Sequence, residues 1–305
     1  MLLEDLLKEF LFELQIKNYS KRTIDTYRYN VSQFITYVKD FEVLELDDVL
    51  PLHLKKFIKH QQALGNRASY INALVKSLRA YFNYLKKEDY LEVDVMKKIT
   101  LLKEDVTIIE TFTDSEIKAM LSVYDFKTYI NARNKMIIAL FIDTGIRMAE
   151  LINLQYDWVG ETTIKIFGKG KKWRYVSISP MLKKYMIRYE RIRKSYFKDK
   201  CLDSNNYILS RSGRPLTSVQ VENVVRNAGQ EANIRKSIRC SPHTLRHYYA
   251  QANIRNGLDV YSTSRLLGHS SVNITKRYLQ GLQDDSIIEL ASTTSPLMNI
   301  KGGSK

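Results

Sequence analysis

Residues 242–247 read PHTLRH, residues 266–269 read LLGH and residues 276–280 read KRYLQ. These stretches set histidines, an arginine and a tyrosine among apolar residues at helical spacing, in the last quarter of a basic chain. Arginine can hold a phosphate, histidine can move protons, and tyrosine can act as a nucleophile. The three stretches therefore predict helices that carry phosphodiester chemistry.

The first stretch has a clear helix start. Ser241 is a favourable N-cap and Pro242 suits the first helical position. His243, Arg246 and His247 then follow at spacings of three and four, so they share one face of the helix. A helix N-terminus already favours phosphate, and an arginine there adds a charge-assisted contact.

A zinc site is an alternative reading of the same residues. Cys240, His243 and His247 have spacings that a zinc ion could use. A nearby fourth ligand is missing, however, and Cys240 precedes the helix. We therefore favour the phosphate interpretation and expect no metal.

A second arginine lies in TGIRMAEL at residues 144–151. Gly145 suits the end of the preceding apolar helix, and a new helix is predicted to begin just after Arg147. An arginine at such a corner is aimed by the backbone. Glu150 is expected to orient or balance local arginines rather than to catalyse.

A lysine lies in FGKGKKWR at residues 167–174. Apolar residues alternate at 164–166 and 176–178, which predicts a β-hairpin with Lys169 at its tip. The spacing of a nucleotide-binding P-loop is absent. A basic hairpin that is simply solvated remains an alternative for the lysines that follow the tip.

These motifs resemble those of the tyrosine recombinase (phage integrase) family, and the resemblance spans nearly the whole chain. It implies a mainly α fold with a small β-hairpin or sheet in the catalytic domain, arranged as a two-domain C-shaped DNA clamp. It also implies a site-specific recombinase of the Xer-like or transposon/phage type. The catalytic set that it implies is Arg147, Lys169, His243, Arg246, His269 and Tyr278.

The resemblance gives four of these residues a role at the scissile phosphate. Arg147 and Arg246 would clamp its oxygens, with His269 as a further donor. Tyr278 would attack phosphorus and form a 3′-phosphotyrosine. Among 20 tyrosines, Tyr278 is chosen because it follows the LLGH histidine by about one short helix, as in the family.

The remaining roles concern protons. His243 would accept the proton of the nucleophile, and Lys169 would protonate the leaving 5′-oxygen. His247 is expected to join the site or to support it from behind. The covalent intermediate keeps the bond energy, so the reaction would need no cofactor, neither ATP nor metal.

Charge indicates a polyanionic partner. The chain has 305 residues, a net charge of +15 and a pI near 9.5. Residues 1–110 carry 17 basic and 17 acidic side chains, whereas residues 111–305 carry 31 and 16. Scattered solvated charge remains an alternative for the N-terminal basic residues. The candidate DNA contacts are Lys21, Arg22, Arg67, Lys76, Arg79, Lys171, Lys172 and Arg174.

Two domains are expected from the chain length and from the helical pattern. Residues 1–106 predict a helical, SAM-like core-DNA-binding domain, and residues 107–305 the tyrosine recombinase catalytic domain. No apolar run is long enough to span a membrane. With only two cysteines, Cys201 and Cys240, we expect reduced thiols, a cytoplasmic location and no membrane partner.

The expected partners are double-stranded DNA recombination sites, further copies of the chain as a tetramer on DNA, and accessory proteins. Two rival functions remain open at this stage. One is DNA relaxation of the type IB topoisomerase kind, which uses related tyrosine chemistry. The other is a catalytically silent DNA-binding regulator, although such a protein has no need of Tyr278.

Overall fold

The chain divides into two compact units, Met1–Val106 and Thr107–Lys305. Each unit has its own hydrophobic core. The computed structural model describes residues 1–104, 110–168, 172–200, 202 and 204–268.

The first unit contains four helices that pack through apolar stripes. They are α1 (Leu3–Ile16), α2 (Lys21–Lys39), α3 (Pro51–Ala63) and α4 (Ala68–Lys87). Apolar residues recur every three or four positions, so each helix buries one face and leaves the other polar. The largest fully buried side chains of this core include Phe34, Phe57, Tyr81 and Phe82.

Polar groups inside this bundle have partners. Asn30 of α2 donates to Ser77 of α4 at 2.9 Å, and Tyr81 donates to the carbonyl of Leu3 at 3.1 Å. Ser20 caps α2 by accepting from the backbone N–H of Thr23 at 3.2 Å. The N-terminal part is thus helical, as the sequence predicts, and contains these four helices.

The second unit is also mainly helical, with one two-stranded antiparallel sheet among its described residues. Strand pairing runs from Thr163 opposite Ser177 to Gly168 opposite Lys172. The predicted fold class, mainly α with a small hairpin, is confirmed. The elements are α5 (Asp114–Val123), α6 (Tyr129–Thr144), α7 (Met148–Ile152), β1 (Thr163–Gly168), β2 (Lys172–Ser177), α8 (Pro180–Tyr196), α9 (Ser218–Glu231), α10 (Pro242–Arg255) and α11 (Val260–Leu267).

Helix α6 lies at the centre of this unit. Residues 136–141 read MIIALF, and all six side chains are buried. A helix that is apolar on every side belongs inside a core. Its C-terminus, which leads directly to Arg147, is therefore held by packing on all sides.

Capping residues set the helix ends around the site. Thr113 and Glu116 form a capping box at the start of α5, a signal that can be read from their spacing of three residues. Ser241 accepts from the backbone N–H of Thr244 at 3.2 Å and so starts α10. Gly145 ends α6 in the left-handed conformation, with φ of 57°.

Of the described helices, none is both long and apolar enough to cross a bilayer. The helix predicted over residues 271–280 lies outside the described residues.

Gly145→Ala is expected to lower the free energy of unfolding by about 2–4 kcal/mol, from left-handed strain plus overpacking. A Cβ at Gly145 would lie 2.4 Å from Tyr249 and 2.9 Å from Leu267. Gly65→Ala is the control, because its φ is +75° but no atom lies within 4 Å of the added Cβ. That variant should lose only about 1–2 kcal/mol. Urea unfolding measures both, and equal losses would contradict the crowding at Gly145.

Candidate active site

Arg147 is the N-cap residue of α7, directly after the turn at Gly145. Its backbone N–H donates to Glu150 Oε2 at 2.8 Å, and its Nη1 donates to Glu150 Oε1 at 2.8 Å. Its Nη2 donates to the carbonyl of Gly268 at 2.6 Å. The corner therefore aims Arg147 through both its backbone and its carboxylate partner.

Arg246 lies one turn into α10 and is 5% exposed. Its Nη1 donates to the carbonyl of Gly145 and its Nη2 to the carbonyl of Leu267, the latter at 2.6 Å. The two predicted phosphate-binding arginines are thus brought together. Arg246 contacts Gly145, and Arg147 follows Gly145 by two residues. Both side chains contact the end of α11.

Arg174 joins the same cluster from β2. Its Nη1 and Nη2 each donate to Glu150 at 2.7 Å, and its Nε donates to the carbonyl of Leu266 at 2.9 Å. The sequence named Arg174 as a candidate DNA contact, and that role stays a prediction. Arg174 pairs with Ile166 in the sheet and shares its face with buried Val176, so its side chain points inward.

The end of α11 is held by three arginines in succession. The carbonyls of Leu266, Leu267 and Gly268 accept from Arg174, Arg246 and Arg147 respectively. The last carbonyls of a helix lack partners within it and carry the negative end of its dipole. Cations therefore stabilise this terminus, and the chain leaves it at the residue before His269.

Glu150 is the shared anion of the cluster, and its side chain is 6% exposed. Burial alone would raise the pKa of this carboxyl, but the hydrogen bonds and charges of Arg174 and Arg147 hold it below its ordinary value. The predicted role of Glu150 in balancing local arginines agrees with this geometry.

His243 and His247 lie on one face of α10 and their rings meet edge to face, with centroids 4.0 Å apart. Partial burial, together with the positive charges of Arg246 and Arg239, lowers the pKa of His243 below its usual range. At neutral pH its ring is therefore neutral and able to accept a proton.

Four of the predicted residues lie outside the described residues: Lys169, Lys171, His269 and Tyr278. The strand residue next to Lys169 is nevertheless close to the cluster. A Cβ added to Gly168 would lie 3.2 Å from Arg174 Nη1 and 3.3 Å from Glu150 Oε1. The base of the hairpin tip therefore adjoins the arginine cluster.

The other candidate DNA contacts stay predictions. Arg79 donates to the carbonyl of Ile99 at 2.8 Å, which leaves its side chain only partly exposed. Lys21, Arg22, Arg67, Lys76 and Lys172 are exposed.

The zinc alternative finds no geometric support in the part of the chain that the structure describes. No group of three or more His, Cys, Asp and Glu residues there could hold a metal ion. Cys240 instead packs against Gly229 of α9, and burial raises the pKa of its thiol.

Comparison with known proteins agrees with the geometry. The model of the phage integrase family matches residues 110–284, more than half of the chain. The chain belongs to the phage integrase family. The N-terminal SAM-like domain of phage integrases matches residues 7–89 of this recombinase.

Three similar proteins illustrate the family. The tyrosine recombinase XerD of Staphylococcus aureus is 27% identical over 280 residues, which cover 90% of this recombinase and 94% of XerD. The XerH site-specific recombinase, in a post-cleavage complex with its difH substrate, has a TM-score of 0.74 at 21% identity, over 91% of this chain and 81% of XerH. The lambda integrase tetramer bound to a Holliday junction has a TM-score of 0.72 at 14% identity, over 93% and 79%. This chain is accordingly a site-specific tyrosine recombinase.

Sequence reasoning missed the inward position of Arg174. The available signal was the alternation of the hairpin, in which position 174 falls on the same face as Val176. A charged residue on the apolar face of a strand needs a buried partner. Glu150 was the acidic residue already placed among arginines.

Glu150→Gln is expected to destabilise the second unit by about 3–5 kcal/mol at pH 7, because it leaves two arginines without their anionic partner. The folded pKa of Glu150 is lowered, so its contribution is present above the unfolded value and is lost as pH falls through the folded value. The difference in the free energy of unfolding between wild type and variant should therefore decrease below about pH 4. Urea unfolding across that range measures it.

Glu161→Gln is the matched control for this experiment. The Glu161 side chain is 90% exposed and pairs with Lys183 at the surface. Loss of this surface ion pair should lower the free energy of unfolding by less than about 1 kcal/mol. A difference for Glu150→Gln that stays constant down to pH 3 would contradict the assigned ionisation.

Proposed function

We propose that this recombinase cleaves and rejoins double-stranded DNA through a 3′-phosphotyrosine formed by Tyr278. The observation that carries the proposal is the convergence of Arg147 and Arg246 at the end of α11. Two guanidiniums on one side of the site suit a phosphate that gains charge in the transition state. The chain enters His269 directly after this point.

The buried surroundings strengthen such a clamp. Arg246 is almost fully buried, and Arg147 is anchored to Glu150, so neither guanidinium must be ordered when substrate binds. Preorganised donors stabilise developing charge without a reorganisation cost. His269 would add a further donor to the same phosphate.

Proton transfer is assigned to two residues. His243 would take the proton of Tyr278, since its lowered pKa keeps the ring neutral at neutral pH. Lys169 would protonate the leaving 5′-oxygen from the hairpin tip, whose base adjoins the cluster. His247, whose ring meets that of His243 edge to face, would support it from behind.

Membership of the family supports a proposal for the wider assembly. We assign residues 1–106 to core-DNA binding and residues 107–305 to catalysis. Four protomers would exchange strands between two sites in the cytoplasm, with the help of accessory proteins. The tetramer of lambda integrase on a Holliday junction supports this arrangement.

Tyr278→Phe should abolish covalent adduct formation and leave DNA binding nearly unchanged, because only the attacking oxygen is removed. Nicked duplexes tiled from the DNA that flanks the gene are incubated with protein in EDTA. Adducts are then read on denaturing gels. Tyr261→Phe is the matched control, since Tyr261 is exposed on α11 and should keep full activity.

An adduct with wild type and Tyr261→Phe but not with Tyr278→Phe would establish the proposed chemistry. An adduct that persists in Tyr278→Phe would reject the nucleophile. Tight, sequence-selective binding with no wild-type adduct on any duplex would favour a catalytically silent DNA-binding protein.

A further inference from the structure

We propose that Arg174 is a positioning residue of the recombination reaction. It holds Glu150, through Glu150 it orients Arg147, and it fixes the backbone that leads to His269. This inference rests on the proposed function and assigns to the same site a residue outside its expected catalytic set.

The first support is the geometry of the Arg174 side chain. Its two terminal nitrogens grip both oxygens of Glu150 at 2.7 Å, and its Nε reaches the carbonyl of Leu266 at 2.9 Å. The Arg174 side chain is 12% exposed and that of Glu150 is 6% exposed. A bidentate buried pair of this kind is both strong and directional. One side chain thus ties β2 to α7 and to the end of α11.

The second support is the way in which Arg147 and Arg174 share the carboxylate of Glu150. Arg147 uses one side-chain nitrogen, Nη1, to contact this carboxylate, while Arg174 uses two. A guanidinium favours the bidentate arrangement whenever a carboxylate is free to accept it. With Arg174 absent, Arg147 would turn to fill the vacated acceptor positions. Arg174 therefore limits the Arg147 side chain to one nitrogen on Glu150 and leaves its Nη2 at the carbonyl of Gly268.

The third support is the connection to the hairpin. Gly168, the residue before Lys169, lies so close to the Arg174–Glu150 pair that an added Cβ would be 3.2 Å from Nη1. A Cβ at Gly268, the residue before His269, would lie 3.1 Å from Arg174 Cδ. The backbone leading into two expected catalytic residues is thus packed against a single side chain.

The test compares Arg174→Gln and Arg174→Lys with Arg191→Gln, which removes an exposed arginine of α8. Single-turnover adduct formation is measured with the tiled nicked duplexes in EDTA, at saturating protein, and DNA affinity is measured separately. We expect Arg174→Gln to slow cleavage by about 30–100-fold, since small misplacements of catalytic groups cost rates of this order. DNA affinity should change less than about threefold, because the contact is internal.

Arg174→Lys guards against a folding defect. It keeps the charge and the aliphatic stem but cannot grip both oxygens, so it should still cleave about tenfold more slowly than wild type. Arg191→Gln should cleave at the wild-type rate. Wild-type cleavage by Arg174→Lys and Arg174→Gln would overturn the proposal. So would a loss of affinity that matches the loss of rate, which is the signature of a direct phosphate contact.

A double-mutant cycle separates positioning through Glu150 from an independent structural role. If Arg174 acts through Glu150, the variant with both Arg174→Gln and Glu150→Gln should cleave no more slowly than the slower single variant. Multiplied defects would overturn positioning through Glu150.

A measurement independent of catalysis tests the role of Arg174 even if the proposed function is wrong. Glutamate labelled with ¹³C at the carboxyl carbon reports the titration of Glu150, assigned with Glu150→Gln. Arg174→Gln should raise the pKa of Glu150 relative to wild type, since Arg147 is then the remaining arginine among the described groups that face it. If wild type forms no adduct on any duplex, the proposed function fails. An unchanged titration would overturn the role of Arg174 in either case.

Discussion

The buried carboxylate of Glu150 is the constraint on which the site depends. An ionised carboxylate this deeply buried must be paired, and here the partners come from two different elements. Arg147 belongs to the corner before α7, and Arg174 belongs to β2. Pairing this one buried anion therefore sets the position of the hairpin against the corner that presents Arg147.

The end of α11 extends this constraint along the chain. Three guanidiniums bind the carbonyls of Leu266, Leu267 and Gly268, so the helix terminus is positioned by the arginine cluster. The two proposed phosphate ligands, Arg147 and Arg246, and the proposed positioning residue, Arg174, thus share one structural element. Helix α6 supports this cluster from behind, because its end at Gly145 accepts from Arg246 and packs under Tyr249.

Local signals in the sequence were sufficient for most of the fold. Capping residues such as Ser241 and Thr113, the apolar run of α6 and the alternation of the hairpin each have one dominant structural solution. The inward orientation of the Arg174 side chain was harder to predict. A basic residue in a basic segment is expected to face solvent, and only the alternation of the strand places Arg174 on the same face as Val176. Glu150 was expected to balance arginines, but the other acceptors of the three arginines could not be inferred from the sequence. They are backbone carbonyls, which every residue has, so the amino-acid sequence does not show which of them accept. Tyr278 was placed by family order relative to His269 and not by geometry.

The arginine cluster also has an electrostatic consequence. Arg147 and Arg174 pair with the carboxylate of Glu150, and Arg246 binds the adjoining turn at Gly145, so these four side chains carry a formal charge of +2. Like charges held close together oppose folding of the empty protein. A bound phosphate diester would relieve part of that repulsion, so the free protein stores electrostatic strain that its substrate releases. The same concentration of positive charge would then both lower the stability of the empty catalytic unit and favour the binding of a phosphate.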